Sequence, residues 1–149
     1  MTAANLASMP PELNVISSGP LAGSAIAKFA SWLGIVVLEA DEGRSVLRLP
    51  IKDELANRRD NVHGGAIATL VDSAMAIATR SKEVGLETGG TIDLNIHFVA
   101  PGKGSLVATA NVIHAGGSIA FCQCEVRDEA QKLVATAMSS FKLRRPRAL

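Results

Sequence analysis

One acidic residue lies within the longest apolar stretch of this sequence. Asp72 is the only charged residue between Gly64 and Thr79, where most neighbours are Ala, Ile, Leu, Val or Met. Burying an unpaired charge costs on the order of several kcal/mol, so a carboxylate here must be hydrogen-bonded, paired or used in chemistry. If Asp72 takes part in a reaction, its carboxylate would act as a general base or a nucleophile. A structural carboxylate bonded to a nearby hydroxyl or amide is the other interpretation, and residue types alone leave both open.

Two glycines, Gly64 and Gly65, open the same apolar stretch. If the stretch is a helix, their N–H groups lie at the positive end of the helix dipole with no side chains to shield them. Exposed amides in this position bind a phosphate, or polarise a carbonyl as an oxyanion develops. The pair can also serve only to let a helix pack closely on a sheet, so these two interpretations also stay open.

The spacing of Asp72 and Gly64 limits how the two can act together. Eight residues of helix, at about 1.5 Å rise each, separate them by roughly 12 Å along the axis, which is too far for one carbonyl. If both act in one reaction, the amide must come from one subunit and the carboxylate from another across a two-fold axis. Joint action therefore requires a dimer with two equivalent sites.

Local patterns predict the elements that position these residues. Residues 66–80 are helical by their content of Ala, Leu, Met and Ile, and they are apolar nearly all round, which is typical of a helix enclosed by protein. A second, amphipathic helix is predicted over residues 20–33, opened by Pro20 and stopped by Gly34. Strands are predicted over residues 35–39, 45–51, 91–99, 105–113, 118–127 and 133–143, the first two joined as a hairpin.

The strand at residues 91–99 carries Ile92, Leu94, Ile96 and Phe98 in alternation with polar residues. We expect the Ala-rich helix to cover this apolar face. Short links between the last four strands predict an antiparallel order, so the fold class is α+β: one antiparallel sheet wrapped round one long buried helix. A single domain is expected over residues 19–145, with an N-terminal arm at residues 1–18 and a tail at residues 146–149.

Composition and charge exclude several classes of protein. A formal net charge of +1 is too balanced for a nucleic-acid partner, and 48% hydrophobic residues are too many for disorder. The longest apolar stretch falls short of the roughly 20 residues that span a bilayer, so no membrane partner is expected. Cys122 and Cys124 are expected to be reduced core thiols, which suits a cytoplasmic protein. The histidines lack zinc-ligand spacing with these cysteines, so no metal is expected.

Several motifs together resemble those of the hotdog-fold thioesterases of the PaaI (phenylacetic acid degradation) type, related to one group of 4-hydroxybenzoyl-CoA thioesterases. They are Asn57, the run His63-Gly64-Gly65-Ala66, the run Leu-Val-Asp-Ser-Ala at residues 70–74, residues 91–98 and the ending at residues 135–141. The resemblance covers about residues 20–144. It implies a hotdog fold and a homodimer that assembles into a homotetramer. It also implies an acyl-CoA substrate and no cofactor, because coenzyme A is part of the substrate.

The resemblance also implies a role for each matched residue. Asp72 would be the nucleophile or the general base for water, and the Gly64 amide would polarise the thioester carbonyl. Asn57 and His63 would assist from the Gly64 side. Thr91 stands where the family has a hydroxyl that orients the attacking water, with a methyl group that narrows the site. The residues expected to bind substrate are Gly65, Phe98, Pro101, Lys103, Gly116, Gly117 and Ser118.

Three functional hypotheses follow, with an acyl-CoA thioesterase as the first. A thioester carbonyl is activated enough for attack by a carboxylate, or by water that a carboxylate activates, so neither a Ser or Cys nucleophile nor a metal is required. The second hypothesis is a non-catalytic acyl-CoA-binding module that uses the same groove without turnover. The third, a hotdog hydratase or dehydratase, is weaker because His63 precedes a Gly-Gly helix start rather than facing a carboxylate. The acyl group stays open between an aryl ring and an aliphatic chain.

Overall fold

Six strands in the described part of the chain form one antiparallel sheet with the order β1-β2-β4-β5-β6-β3. The structure is a computed structural model, and it describes residue 16, residues 19–50 and residues 52–146. Its elements in chain order are α1 (Lys28–Trp32), β1 (Val36–Asp41), β2 (Arg44–Leu49), a 3-10 helix (Asp53–Leu55), α2 (Gly64–Arg80), β3 (Glu87–Phe98), β4 (Leu106–Ala115), β5 (Ile119–Arg127) and β6 (Leu133–Arg144). The predicted α+β class, with one long helix on an antiparallel sheet, is confirmed.

Helix α2 packs against one face of the sheet and forms the centre of the core. Leu70, Val71, Ala74, Met75 and Ala78 are completely buried along it. Small alanine side chains on α2 and on β4 let the helix approach the strands closely, and the buried apolar area drives this packing. One polar contact joins the layers, because the hydroxyl of Ser45 on β2 donates to the carbonyl of Ala74 at 2.7 Å.

Strand β3 lies at an edge of the sheet, although β4 follows it directly in the chain. One side of β3 pairs with β6, with Glu87 opposite Arg144 and Phe98 opposite Ala135. On its other side it has no partner strand within the described ranges. Twelve residues of open backbone edge are therefore available for pairing with another strand.

The expectation that the Ala-rich helix covers the apolar face of β3 is wrong for most of that face. Ile92, Leu94 and Phe98 are 55%, 36% and 56% exposed, and only Ile96 packs against the core. The physical reason is the edge position: α2 covers the middle of the sheet, and a bulge at Ile92 turns that side chain out of the alternation. The protein thus carries an apolar strip beside an unpaired strand edge.

The predicted helix over residues 20–33 is also wrong for its first half. Only Lys28–Trp32 is helical, and turns precede it. Gly19 and Gly23 have φ angles of +79° and +83°, which a right-handed helix does not contain. A helical pattern of apolar residues is therefore present in the sequence, but the backbone conformation at these glycines prevents the helix from extending toward the N-terminus.

The predicted arm and tail lie mostly outside the described residues. Of the arm, only Ile16 is described, and it is buried in the core beside Leu21. Of the tail, only Pro146 is described, and residue 51 at the end of the second predicted strand is also outside. Within the described ranges, no helix has both the length and the apolar content needed to cross a membrane.

Candidate active site

The start of α2 is held by the side chain of the residue before it. His63 is the N-cap, and its Nδ1 accepts a hydrogen bond from the Gly65 N–H at 2.9 Å. Its own backbone N–H donates to the Leu55 carbonyl at 2.7 Å, which ties it to the 3-10 helix. A Cβ on Gly65 would lie 3.1 Å from the imidazole, so a larger residue there requires the His63 ring to shift. The Gly65 amide is occupied by this cap, and its substrate-binding role stays a prediction.

Gly64 keeps an open amide at the same helix end. It is the first residue of α2, and its N–H has no acceptor among the described residues. The ring of Phe98 lies over it, 3.4 Å from where a Cβ would be. Because the N-terminus of a helix favours negative charge, this amide is suited to hold a developing oxyanion.

Asp72 lies two turns further along α2 and is partly buried. The hydroxyl of Thr91 on β3 donates to its Oδ1 at 2.7 Å, while Oδ2 has no hydrogen-bond partner in the described part of the chain. The hydrogen bond to Thr91 is expected if Asp72 has only a structural role, as a carboxylate bonded to a hydroxyl. The free Oδ2 atom is expected if Asp72 acts as a general base or a nucleophile.

The two halves of the site are separated within one chain. Helix α2 is continuous from Gly64 to Arg80, so Gly64 and Asp72 are about 12 Å apart along its axis. Their neighbours on β3, Phe98 and Thr91, are seven residues apart, or roughly 23 Å of extended strand. Within one chain the Gly64 amide and the Asp72 carboxylate are therefore too far apart to contact one carbonyl.

Asn57 lies in the loop that leads to His63. Its Oδ1 accepts hydrogen bonds from the backbone N–H groups of Arg59, at 2.8 Å, and Asn61, at 3.3 Å. Its side-chain amide nitrogen has no acceptor among the residues that the structure describes. The loop is thus closed on the oxygen of Asn57, and the N–H groups of that amide remain able to donate.

The predicted substrate-binding residues divide between the two ends of the sheet. Phe98, Pro101 and Lys103 lie at the Gly64 end, where the Gly102 carbonyl accepts the Val62 N–H at 2.9 Å. Gly116, Gly117 and Ser118 form the turn between β4 and β5 at the opposite end. The Arg145 guanidinium donates to the carbonyls of Gly116 and Gly117 and so holds this turn. Within a single chain, Phe98, Pro101 and Lys103 lie near the Gly64 amide, and the turn at residues 116–118 does not.

Two apolar cavities lie next to the site, and the sequence did not predict them. One, of about 170 Å³, has Asp72 in its wall, and the other, of about 430 Å³, lies beside His63 and Gly65. Segments far apart in sequence line each of them, including α1 and the residues just before it. The apolar residues around α1 were visible in the sequence, but no local signal connects them with Asp72.

The cysteines are poor candidates for a nucleophile. Cys122 and Cys124 are both buried and free. Burial raises the pKa of Cys124 to about 12, and burial also raises the pKa of Cys122 despite a hydrogen bond between Cys122 and Thr79 that opposes the shift. Both thiols are therefore protonated at neutral pH. A nucleophilic cysteine must instead be a thiolate. No group of metal-ligating side chains occurs within the described ranges.

Comparisons with known proteins agree with this geometry. The family model of the thioesterase superfamily matches residues 60–135. The chain is 33% identical over 109 residues to acyl-coenzyme A thioesterase PaaI of Escherichia coli, covering 71% of this chain and 75% of that protein. It is 32% identical over 104 residues to acyl-coenzyme A thioesterase 13 of Homo sapiens, covering 68% and 74%. The structure of the E. coli PaaI protein matches with a TM-score of 0.69 and 29% identity, covering 78% of this chain and 83% of that one. The chain therefore belongs to the thioesterase superfamily, as a hotdog-fold member of the PaaI type.

Proposed function

We propose that this protein hydrolyses acyl-CoA thioesters at a site built by two copies of the chain. One copy supplies the carboxylate of Asp72, and the other supplies the amide of Gly64. The observation that carries the proposal is that each group is free to act while one helix holds the two about 12 Å apart. Relatives from E. coli and Homo sapiens that are named acyl-coenzyme A thioesterases support the substrate class.

The open edge of β3 supports a dimer in which the two β3 strands pair antiparallel. In that arrangement Phe98 of one copy lies opposite Thr91 of the other copy. Phe98 lies over Gly64 and Thr91 bonds to Asp72, so the amide of one copy comes close to the carboxylate of the other. Because the bulge at Ile92 adds one residue between these positions, the two-fold axis then passes between the two copies of Asn95, and it builds two equivalent sites. The same pairing removes the exposed side chains of Ile92, Leu94 and Phe98 from water, which stabilises the association.

In the reaction, the Gly64 amide donates to the thioester carbonyl and stabilises the negative charge that develops on its oxygen. Asp72 either attacks the carbonyl carbon or takes a proton from a water that attacks it. The tetrahedral intermediate then collapses and breaks the C–S bond. On the general-base route, the proton taken up by Asp72 passes to the leaving thiolate. On the nucleophilic route, the thiolate takes a proton from water, and the acyl group stays on Asp72 as a mixed anhydride until a water molecule hydrolyses it. Thr91 orients the carboxylate through the bond to Oδ1. His63 fixes the helix start, and Asn57 assists from the same side.

The remaining parts of the proposal concern binding and assembly. Lys103 is exposed beside Phe98 and Pro101, and it supplies a positive charge for the phosphates of coenzyme A. Two dimers form a homotetramer, which is supported by exposed apolar side chains on the sheet face away from α2: Ile113, Phe121 and Met138. The buried, reduced cysteines support a cytoplasmic location. No cofactor is required for the chemistry.

The test is thiol release from a panel of acyl-CoAs by the wild type and by Asp72→Asn. We expect the variant to lose at least a hundredfold in kcat/KM, because the amide can neither attack nor accept the proton. Asp41→Asn, at the exposed last position of β1, is the matched control and keeps full activity. Equal rates for wild type and Asp72→Asn would overturn the proposal. Tight binding of acyl-CoA by a wild type that releases no thiol would favour the non-catalytic binding module instead.

A further inference from the structure

A small apolar cavity begins at Asp72. Its volume is about 170 Å³, and its apolar walls come from Ile26, Ala30, Ile35, Leu47, Ala76 and Ile77. Ile35 and Leu47 are completely buried, whereas the polar lining residues Asp72, Ser73, Thr88 and Arg80 are partly exposed. The cavity therefore has a polar mouth at the carboxylate and an apolar interior.

The position of Asp72 decides which part of a thioester enters this cavity. The scissile carbon must lie within about 3.5 Å of the attacking oxygen, so one of its two substituents has to point past the carboxylate. The coenzyme A side carries amides and phosphates, and an apolar cavity leaves these groups without hydrogen bonds at a cost of roughly 2 kcal/mol or more each. An apolar acyl group has no polar atoms that need hydrogen bonds, so the acyl side of the thioester enters the cavity without this cost.

We propose that this cavity holds the acyl group and limits it to one ring of phenyl size or a chain of about six carbons. An apolar cavity of about 150 Å³ holds one benzene ring, which sets this scale for a volume of about 170 Å³. The inference rests on the proposed function and names its substrate class: acyl-CoAs with a small, apolar acyl group. Medium and long chains exceed this volume, and the buried side chains of Ile35 and Leu47 bound the cavity on the core side.

Ala76 is the residue that sets the available length. It lies four positions after Asp72 on α2, so its side chain points to the same side of the helix one turn further on. It is one of the cavity residues, and a larger side chain there fills space that the acyl group needs. Ala30 on α1 faces the same space, but it is buried in the core and is a less suitable site for substitution.

The second cavity offers the matched control. It measures about 430 Å³ and is lined by Phe29, Leu33, Leu55 and Thr69, beside His63 and Gly65. Thr69 lies on α2 one turn before Ser73, and its hydroxyl bonds only to the Gly65 carbonyl. Thr69→Leu therefore adds bulk to the same helix in a cavity that does not include Asp72 of its own chain. In the proposed dimer this cavity lies at the Gly64 half of a site, so the variant tests the other location open to the acyl group.

The first experiment measures kcat/KM for acyl-CoAs from acetyl to dodecanoyl, and for phenylacetyl-CoA. For the wild type we expect a rise of about fourfold for each added methylene up to about six carbons, and a fall of at least tenfold by dodecanoyl. Ala76→Leu should lower the ratio of kcat/KM for hexanoyl- and phenylacetyl-CoA to kcat/KM for acetyl-CoA at least tenfold. Thr69→Leu should keep the wild-type dependence of kcat/KM on acyl length. A flat profile, or a shift with Thr69→Leu in place of Ala76→Leu, would overturn the inference.

The second experiment does not depend on turnover, so it separates this inference from the proposed hydrolysis. Calorimetry compares the Kd of S-hexyl-CoA, a thioether that cannot be hydrolysed, with the Kd of coenzyme A. The wild type and Thr69→Leu should bind S-hexyl-CoA at least tenfold more tightly than coenzyme A, and Ala76→Leu should lose this preference. If the preference is lost only in Ala76→Leu but no thioester is cleaved, the hydrolysis proposal fails and the cavity assignment holds. Equal preference in all three proteins would contradict the cavity assignment.

Discussion

The hydroxyl of Thr91 donates a 2.7 Å hydrogen bond to Oδ1 of Asp72, which ties the edge strand β3 to the central helix. The bond orients the carboxylate and leaves Oδ2 free. Since β3 is also the strand with an unpaired edge, the contact places the carboxylate next to the surface where a second copy can pair. The position of the carboxylate and the association of two chains are thus coupled through one strand.

Thr91→Val removes this hydrogen bond while it keeps the shape of the side chain. We expect kcat to fall about tenfold or more with little change in KM, because Thr91 acts on the orientation of Asp72 and not on substrate binding. Thr91→Ser restores the hydroxyl and should recover most of kcat. Steady-state kinetics with acetyl-CoA measure both effects, and a loss confined to KM would contradict the positioning role.

Mixed dimers test whether the two halves of the site come from different copies. Gly64→Pro removes the amide hydrogen at the first helical position, where proline is well tolerated, and His63 already has the extended backbone (ψ 137°) that precedes proline. Gly64→Pro and Asp72→Asn should each be inactive alone. After unfolding and refolding together in equal amounts, they should recover about a quarter of wild-type activity, because half of the dimers then carry one intact site.

The control for mixed dimers is Gly64→Ala, which retains the amide hydrogen. It should lose less activity than Gly64→Pro, although its Cβ comes within 3.4 Å of the Phe98 ring. Rates of refolded mixtures are compared with those of each variant refolded alone. Mixtures that stay as inactive as the separate variants would show that the amide and the carboxylate do not act across two chains.

Leu94→Lys tests the role of the open edge of β3. The side chain lies on the apolar strip one residue from the proposed two-fold axis, so two like charges would lie close together in the dimer. We expect sedimentation to detect monomers and thiol release to fall at least tenfold. Val84→Lys, at a highly exposed position outside β3, is the control and should change neither property. A dimeric, fully active Leu94→Lys protein would rule out this pairing.

The buried thiol of Cys124 predicts how stability changes in alkali. Its pKa is raised from 9.0 to about 12, chiefly by burial, so the folded state holds the proton between these values while the unfolded state has lost it. The free energy of unfolding should therefore fall with rising pH above 9, by roughly 1 kcal/mol for each pH unit. Urea unfolding between pH 8 and pH 10.5 measures the slope. Cys124→Ala should reduce the slope, with the part that comes from the raised pKa of Cys122 remaining, and an unchanged slope would contradict the assignment.

Long local patterns in the sequence were sufficient to predict the long helix and most of the strands. Helix α2 begins two residues before the predicted start and ends at the predicted residue, because its composition is helical over several turns. The β1–β2 hairpin and the last three strands fall within one or two residues of their predicted bounds, since alternation and turn residues are local signals. The candidate carboxylate and the Gly-Gly amide were also identified from composition and spacing, as was the argument for two subunits.

The tertiary structure decided every relationship between distant segments. β3 pairs with β6 and not with the strand that follows it, so the apolar face of β3 is left open, and no local pattern encodes strand order. Thr91 reaches Asp72, Phe98 covers Gly64, and the His63 side chain occupies the Gly65 amide only because the folded chain brings these atoms together. The sequence by itself thus determined which groups are able to react and how far apart one helix holds them. The packing of helix on sheet decided which groups remain free, because hydrogen bonds and cavities depend on contacts between residues far apart in the chain.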